Sequence, residues 1–181
     1  KIYVQFLLIH GTSLLKKLLK KHSTIFINSS NQKTIAKRIN YTSDIEKVRY
    51  LIVANDAGAA YQIYYLIKKF KLKCKYYLKG PAKKIFNKKD IIHLDNEIKK
   101  NDIVITGTSL QTNLEKNVIK KCKKYSKRVL SIFDNYNNFK KRFLLDKKLY
   151  YPNIIITVDE LSYKEAKKYK KKNFSLVKKK D

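Results

Sequence analysis

The residues best equipped for chemistry in this chain follow hydrophobic runs. The richest group is S-I-F-D-N-Y-N-N-F-K-K-R-F, Ser131 to Phe143, where Asp134 stands directly after an apolar stretch and Asn138 and Arg142 are one helical turn apart. An aspartate there can serve as a general base or hold a sugar hydroxyl, Tyr136 can stack on a ring, Asn138 can orient a substrate and Arg142 can grip a phosphate. The bland reading of the same letters is an Asx-type turn with its aromatics folded into the core. A second group, N-D-A-G, brings Asn55, Asp56 and Gly58 to the start of a helical pattern, where glycine permits close backbone approach and helix amides point outward. It suits a phosphate, a sugar hydroxyl or a carboxylate-bearing ligand, and equally a plain helix cap by Asp56. The third group, T-G-T-S-L-Q-T-N-L-E, offers Gly107, Thr108 and Ser109 as a phosphate or ribose cradle ahead of a helix. Thr112 and Glu115 in it also match a capping box, with Glu115 otherwise a candidate ligand-binding residue. Asp159 and Glu160 in T-V-D-E read as helix caps. Neither a G-x-G-x-x-G fingerprint nor a P-loop is present.

Side chains of this kind need a frame, and the runs that precede them supply one. Tyr50–Ala54, Ile103–Thr106, Val129–Phe133 and Ile154–Val158 are short, nearly continuous apolar segments, the pattern of strands buried on both faces of a parallel sheet. Helical patterns follow at 59 to 69, 112 to 124, 138 to 145 and 161 to 171, with further strands at 75 to 78 and 174 to 177. Gly80-Pro81 reads as a breaker followed by a lysine-rich surface turn at 83 to 90. Before residue 48 the spacing suggests strands at 2 to 9 and 25 to 28 and helices at 13 to 21 and 32 to 39. We therefore expect an α/β class: a Rossmann-like three-layer sandwich with a mainly parallel sheet. Ligands of such sheets bind outside the carboxyl ends of the strands, where all four polar groups fall.

The 181 residues suit one α/β domain spanning 1–181, with a fragment of a larger protein as the alternative, since the chain begins at Lys1 and holds no methionine. A formal net charge of +29 points toward polyanions, but only Arg38, Arg49, Arg128 and Arg142 among 43 basic residues are arginine. The lysines are spread through the chain beside an excess of Ile, Asn and Tyr, as A/T-rich codons would produce. That argues against nucleic acid as the partner. Cys74 and Cys122 form no disulfide framework, and His10, His22 and His93 have no companions at ligand spacing, so no metal is expected. The N-terminal run IYVQFLLI is too short to span a bilayer. A cytoplasmic setting is the expectation.

The succession N-D-A-G, G-P-A at 80 to 82, T-G-T with Glu115 downstream, D-N-Y-N-N-F-K-K-R-F and Y-P-N-I-I-I-T-V-D resembles a family of bacterial surface-polysaccharide biosynthesis proteins. The resemblance covers residues 48–160 and leaves 1–46 unmatched. It implies a fold similar to one half of a GT-B glycosyltransferase or to a nucleotide-sugar 2-epimerase. It further implies a nucleotide sugar or sugar phosphate as ligand, no cofactor, and metal-independent transferase chemistry with catalytic roles for Asp134, Asn138 and Arg142. Asn135 and Tyr136 stand where the family pattern has histidine and tryptophan, which puts proton transfer at that point in question. Two other readings stay open: a non-catalytic binding domain of a larger glycan enzyme, and a lysine-rich nucleic-acid-binding protein. Peripheral contact with an anionic membrane is a further expectation from the charge.

Overall fold

The computed structural model describes residues 48–88, 93–170 and 174–177. The elements expected before residue 48 lie outside these. The first strand, β1 (Tyr50–Ala54), is buried at every position, as its unbroken apolar sequence requires of a strand covered on both faces. Elements then alternate: α1 (Ala57–Phe70), β2 (Cys74–Leu78), α2 (Gly80–Phe86), α3 (Leu94–Lys100), β3 (Ile103–Thr106), α4 (Leu114–Lys124) and β4 (Arg128–Phe133). A short helix α5 (Phe139–Phe143) leads into a small hairpin, β5 (Leu144–Leu145) with β6 (Lys148–Leu149). The chain continues through β7 (Ile154–Thr157), α6 (Glu160–Lys167) and β8 (Ser175–Val177).

Six strands of the described residues form one sheet in the order β2-β1-β3-β4-β7-β8, every neighbouring pair parallel. Alternation along β1 sends Leu51 and Val53 into one core and Tyr50, Ile52 and Ala54 into the other. The first core is closed by Ile98 of α3, Val118, Ile119 and Cys122 of α4, Phe139 and Phe143 of α5, and Ala166 of α6. The second receives Ala59, Ala60 and Ile63 of α1 and Ala82 and Phe86 of α2. The molecule is thus the expected α/β Rossmann-like sandwich. From β1 the chain moves to β2 on one side and then crosses back to β3 on the other. That reversal opens a crevice at the carboxyl ends of β1 and β3. The register keeps those ends level: Val53 lies opposite Thr106, and Thr106 opposite Ser131.

Three local expectations change. Gly80-Pro81, expected as a breaker, starts helix α2, which takes in 83 to 86 of the expected surface turn, while 89 and 90 lie outside the described residues. Proline in the first turn forfeits no helical bond, and Gly80 takes φ +45°, a conformation that favours glycine. Helix α3 was not foreseen, because its seven residues bury only Ile98. The helix expected from 138 to 145 ends at Phe143, where Leu144 turns extended and enters the hairpin.

Candidate functional site

At the end of β1 the chain turns sharply, and its polar groups bind one another and the segment that follows β3. The backbone N–H of Asn55 donates to Oε1 of Glu115 at 2.9 Å, a carboxylate in the first turn of α4. The Asn55 amide donates to Asp56 Oδ1 at 2.6 Å, and the Ser109 hydroxyl donates to the same oxygen at 2.9 Å. Ser109 in turn accepts from the Thr112 N–H at 3.3 Å. The β1 and β3 loops are therefore joined through Asp56. Although Asp56 occupies the N-cap position of α1, its side chain makes no cap bond.

The cap comes instead from β4. The Asp134 carboxylate lies over the start of α1 and accepts a hydrogen bond from the Ala59 N–H. A Cβ placed on Gly58 would collide with Asp134 Oδ2, so the absence of a side chain is what admits the carboxylate. Gly107 serves a related purpose: its N–H donates to the Val53 carbonyl at 3.2 Å, and a Cβ there would press on Ala59. Gly80 approaches from the third side, where a Cβ would come within 2.9 Å of Asn55 Oδ1, and the Ala82 N–H donates to the Asn55 carbonyl.

Arg142 is buried and faces inward. Its Nε donates to the Asn137 carbonyl at 3.0 Å, a terminal nitrogen donates to the Thr108 carbonyl, and the same nitrogen stands 3.9 Å from Asp134 Oδ1. The Thr108 hydroxyl donates to the Ile132 carbonyl at 3.0 Å. The guanidinium is thus a clamp between the β3 and β4 loops, with Nε and one terminal nitrogen turned to carbonyls. Tyr136 and Asn138 remain exposed at the rim, Asn138 in the left-handed region at φ 60°. Phe133, Phe139 and Phe143, the other aromatics of that motif, pack into the core.

Burial governs the electrostatics. Glu115 is pushed up to about 7, chiefly by loss of water and further by the charge of Asp56, against the hydrogen bonds it receives from backbone N–H groups and from Thr112. Asp134 is also raised by burial, with Arg142 pulling the other way. Carboxyls raised in this way can donate when protonated and accept when ionised, which suits hydroxyl recognition or proton transfer. An anion at the positive end of α1 is already provided by Asp134, in the place a ligand phosphate would otherwise take.

Matches to known proteins do not decide the matter. The chain fits no family model, and no curated protein is significantly similar to it. Function must be read from the site. Among the described residues no group of three His, Cys, Asp or Glu side chains could hold a metal ion.

All eleven residues singled out from sequence fall at the carboxyl edge. Asn55, Asp56, Gly58, Gly107, Thr108, Ser109, Glu115, Asp134 and Arg142 form one connected network, with Tyr136 and Asn138 on its rim. Two participants were missed. The Ala59 N–H, a backbone group, carries no sequence signal, and Lys116, buried beside Glu115 with its ammonium on Asn113 Oδ1 at 3.1 Å, looks like any other surface lysine of this chain. The capping-box reading of Thr112 and Glu115 gives way to the longer reach to β1. A separate cavity of about 290 Å³, lined by Tyr50, Cys74, Glu97 and Asn101 among others, lies at the opposite, amino edge and shares no residue with this site.

Proposed function

We propose that the carboxyl-edge site binds a sugar-bearing ligand of the nucleotide-sugar or sugar-phosphate class, and that the protein works in glycan assembly as a glycosyltransferase-like or nucleotide-sugar-processing protein. The observation that carries this reading is the convergence of Asp56 after β1, Glu115 in the first turn of α4 and Asp134 after β4 at the switch point of the sheet. Carboxylates accept hydroxyl hydrogen bonds in pairs, and vicinal sugar hydroxyls present pairs. Asp134 is the hydroxyl acceptor or base, Arg142 positions it, and the half-exposed Tyr136 ring is available for stacking on a sugar or a base.

A thermal-shift panel of UDP-, GDP-, CMP- and dTDP-sugars with a short DNA duplex tests this, because a ligand at about 100 times its dissociation constant adds roughly 2.7 kcal/mol of stability. One nucleotide sugar should stabilise the protein at both low and high salt, and Asp134→Asn should remove that gain. Stabilisation by every polyanion that disappears at high salt would refute the reading in favour of charge alone.

The non-catalytic reading is favoured by one specific observation: the buried polar groups of the site already have partners within the protein, two Arg142 donors on carbonyls and Asp134 on the Ala59 N–H. Under it, a nucleotide sugar binds without turnover. Release of free nucleotide from the bound sugar by this chain would exclude it.

A further inference from the structure

The β5–β6 hairpin stands apart from the main sheet, and its two faces differ. Leu145 is turned inward and buried, whereas Leu144 and Leu149, directly opposite one another across the two strands, are 42% and 38% exposed. Opposed residues share one face, so the two leucines form a single apolar patch. Lys140, Lys141 and Lys147 next to it in the chain are exposed, as is Lys148, which opposes Leu145 on the other face. The lone acid of the hairpin, Asp146, is paired with Lys120 at 3.1 Å and does not offset them. Asp146 and Lys147 at the tip both have positive φ, 49° and 60°, the two-residue mirror-image turn that usually calls for Asn or Gly. The tip keeps this tight geometry with a lysine in a conformation lysine disfavours.

We infer that this hairpin docks the protein on an anionic lipid surface, with Leu144 and Leu149 entering the interface and the four lysines meeting the headgroups. An interface of that kind rewards apolar insertion and positive charge together, and demands no matching recess. A second copy of this chain is disfavoured as the occupant because it carries the same +29 charge. A nucleic-acid backbone gives two leucines nothing to bury against. The inference stands independently of the sugar-site reading.

The chain contains no tryptophan, so a single introduced indole reports its own surroundings. Leu149→Trp is compared with Tyr61→Trp, which replaces a 51% exposed tyrosine on α1. Each full-length variant is mixed with vesicles of equal parts phosphatidylglycerol and phosphatidylcholine carrying brominated acyl chains, at about 150 mM salt. The Leu149→Trp emission should shift to the blue and be quenched by bromine, and Tyr61→Trp should do neither. In co-sedimentation the double variant L144S/L149S should bind these vesicles about tenfold more weakly than the unaltered chain, and pure phosphatidylcholine vesicles should leave the protein in the supernatant. Unshifted Leu149→Trp emission, or equal responses from both probes, would reduce the contact to unspecific charge and overturn the inference. So would a blue shift with polyglutamate but not with vesicles, which would assign the hairpin to an acidic protein.

Discussion

Glu115 shows how one buried carboxyl can tie a site to the stability of the whole fold. In an unfolded chain its pKa is about 4.3, and in the fold burial raises it to about 7. Between those values the folded state holds a proton that the unfolded state has released, so stability from this group increases as pH falls from about 8 to about 5. The gain is of the order of 3 kcal/mol, since a pKa unit corresponds to about 1.4 kcal/mol; Asp134 shifts in the same direction. Urea midpoints across that range should show a steeper pH slope for the unaltered protein than for Glu115→Gln, which keeps the hydrogen bond from the Asn55 N–H and cannot ionise. Equal slopes would mean that Glu115 titrates normally. Sequence pointed to Glu115 as a capping or ligand residue. Its actual partner is 60 positions away, and nothing in the spacing of Thr112 and Glu115 announces it.

At the scale of elements, the N-terminus of α1 is the informative junction. Alanine generally outdoes glycine within a helix by about 1 kcal/mol, yet Gly58→Ala should destabilise this protein by roughly 1–3 kcal/mol, the usual penalty of overpacking. The cause is the Asp134 carboxylate lying where the new methyl group would go. In an Asp134→Ser background the penalty should vanish or reverse, and a double-mutant cycle of urea midpoints measures that coupling. Local patterns revealed α1, α4, β1, β3, β4 and β7 because each is long or apolar enough to show its period. They missed α3, with one buried residue, and β5 and β6, with two residues each, because a period cannot be read from so few positions. Gly80-Pro81 was ambiguous for a different reason: the same pair breaks one helix and opens another.

For the molecule as a whole, charge is the dominant long-range term. A formal +29 on 181 residues means self-repulsion, and the ion pairs seen are mostly exposed, Lys120 with Asp146 and Lys168 with Glu165 among them, where each contributes little. Raising sodium chloride from about 20 to about 300 mM should therefore raise the melting temperature by screening that repulsion. A fall on adding salt would show that the lysines are engaged in net favourable pairs. No described helix is long and apolar enough to cross a membrane.

The sequence by itself determined the class of the fold and the edge at which its polar residues gather. Apolar runs without alternation demand strands buried on both faces, and turn residues must follow a strand's end. Tertiary structure alone decided which strand ends are neighbours. Asp56 meets Ser109 across 53 residues, and Asp134 reaches back to Ala59 at the start of α1. The same runs and turns could be laid side by side in another order with no change in local propensity. Only packing of the helices on both faces, in the order β2-β1-β3-β4-β7-β8, brings the three carboxylates to one crevice and turns Arg142 inward between the Thr108 carbonyl and Asp134.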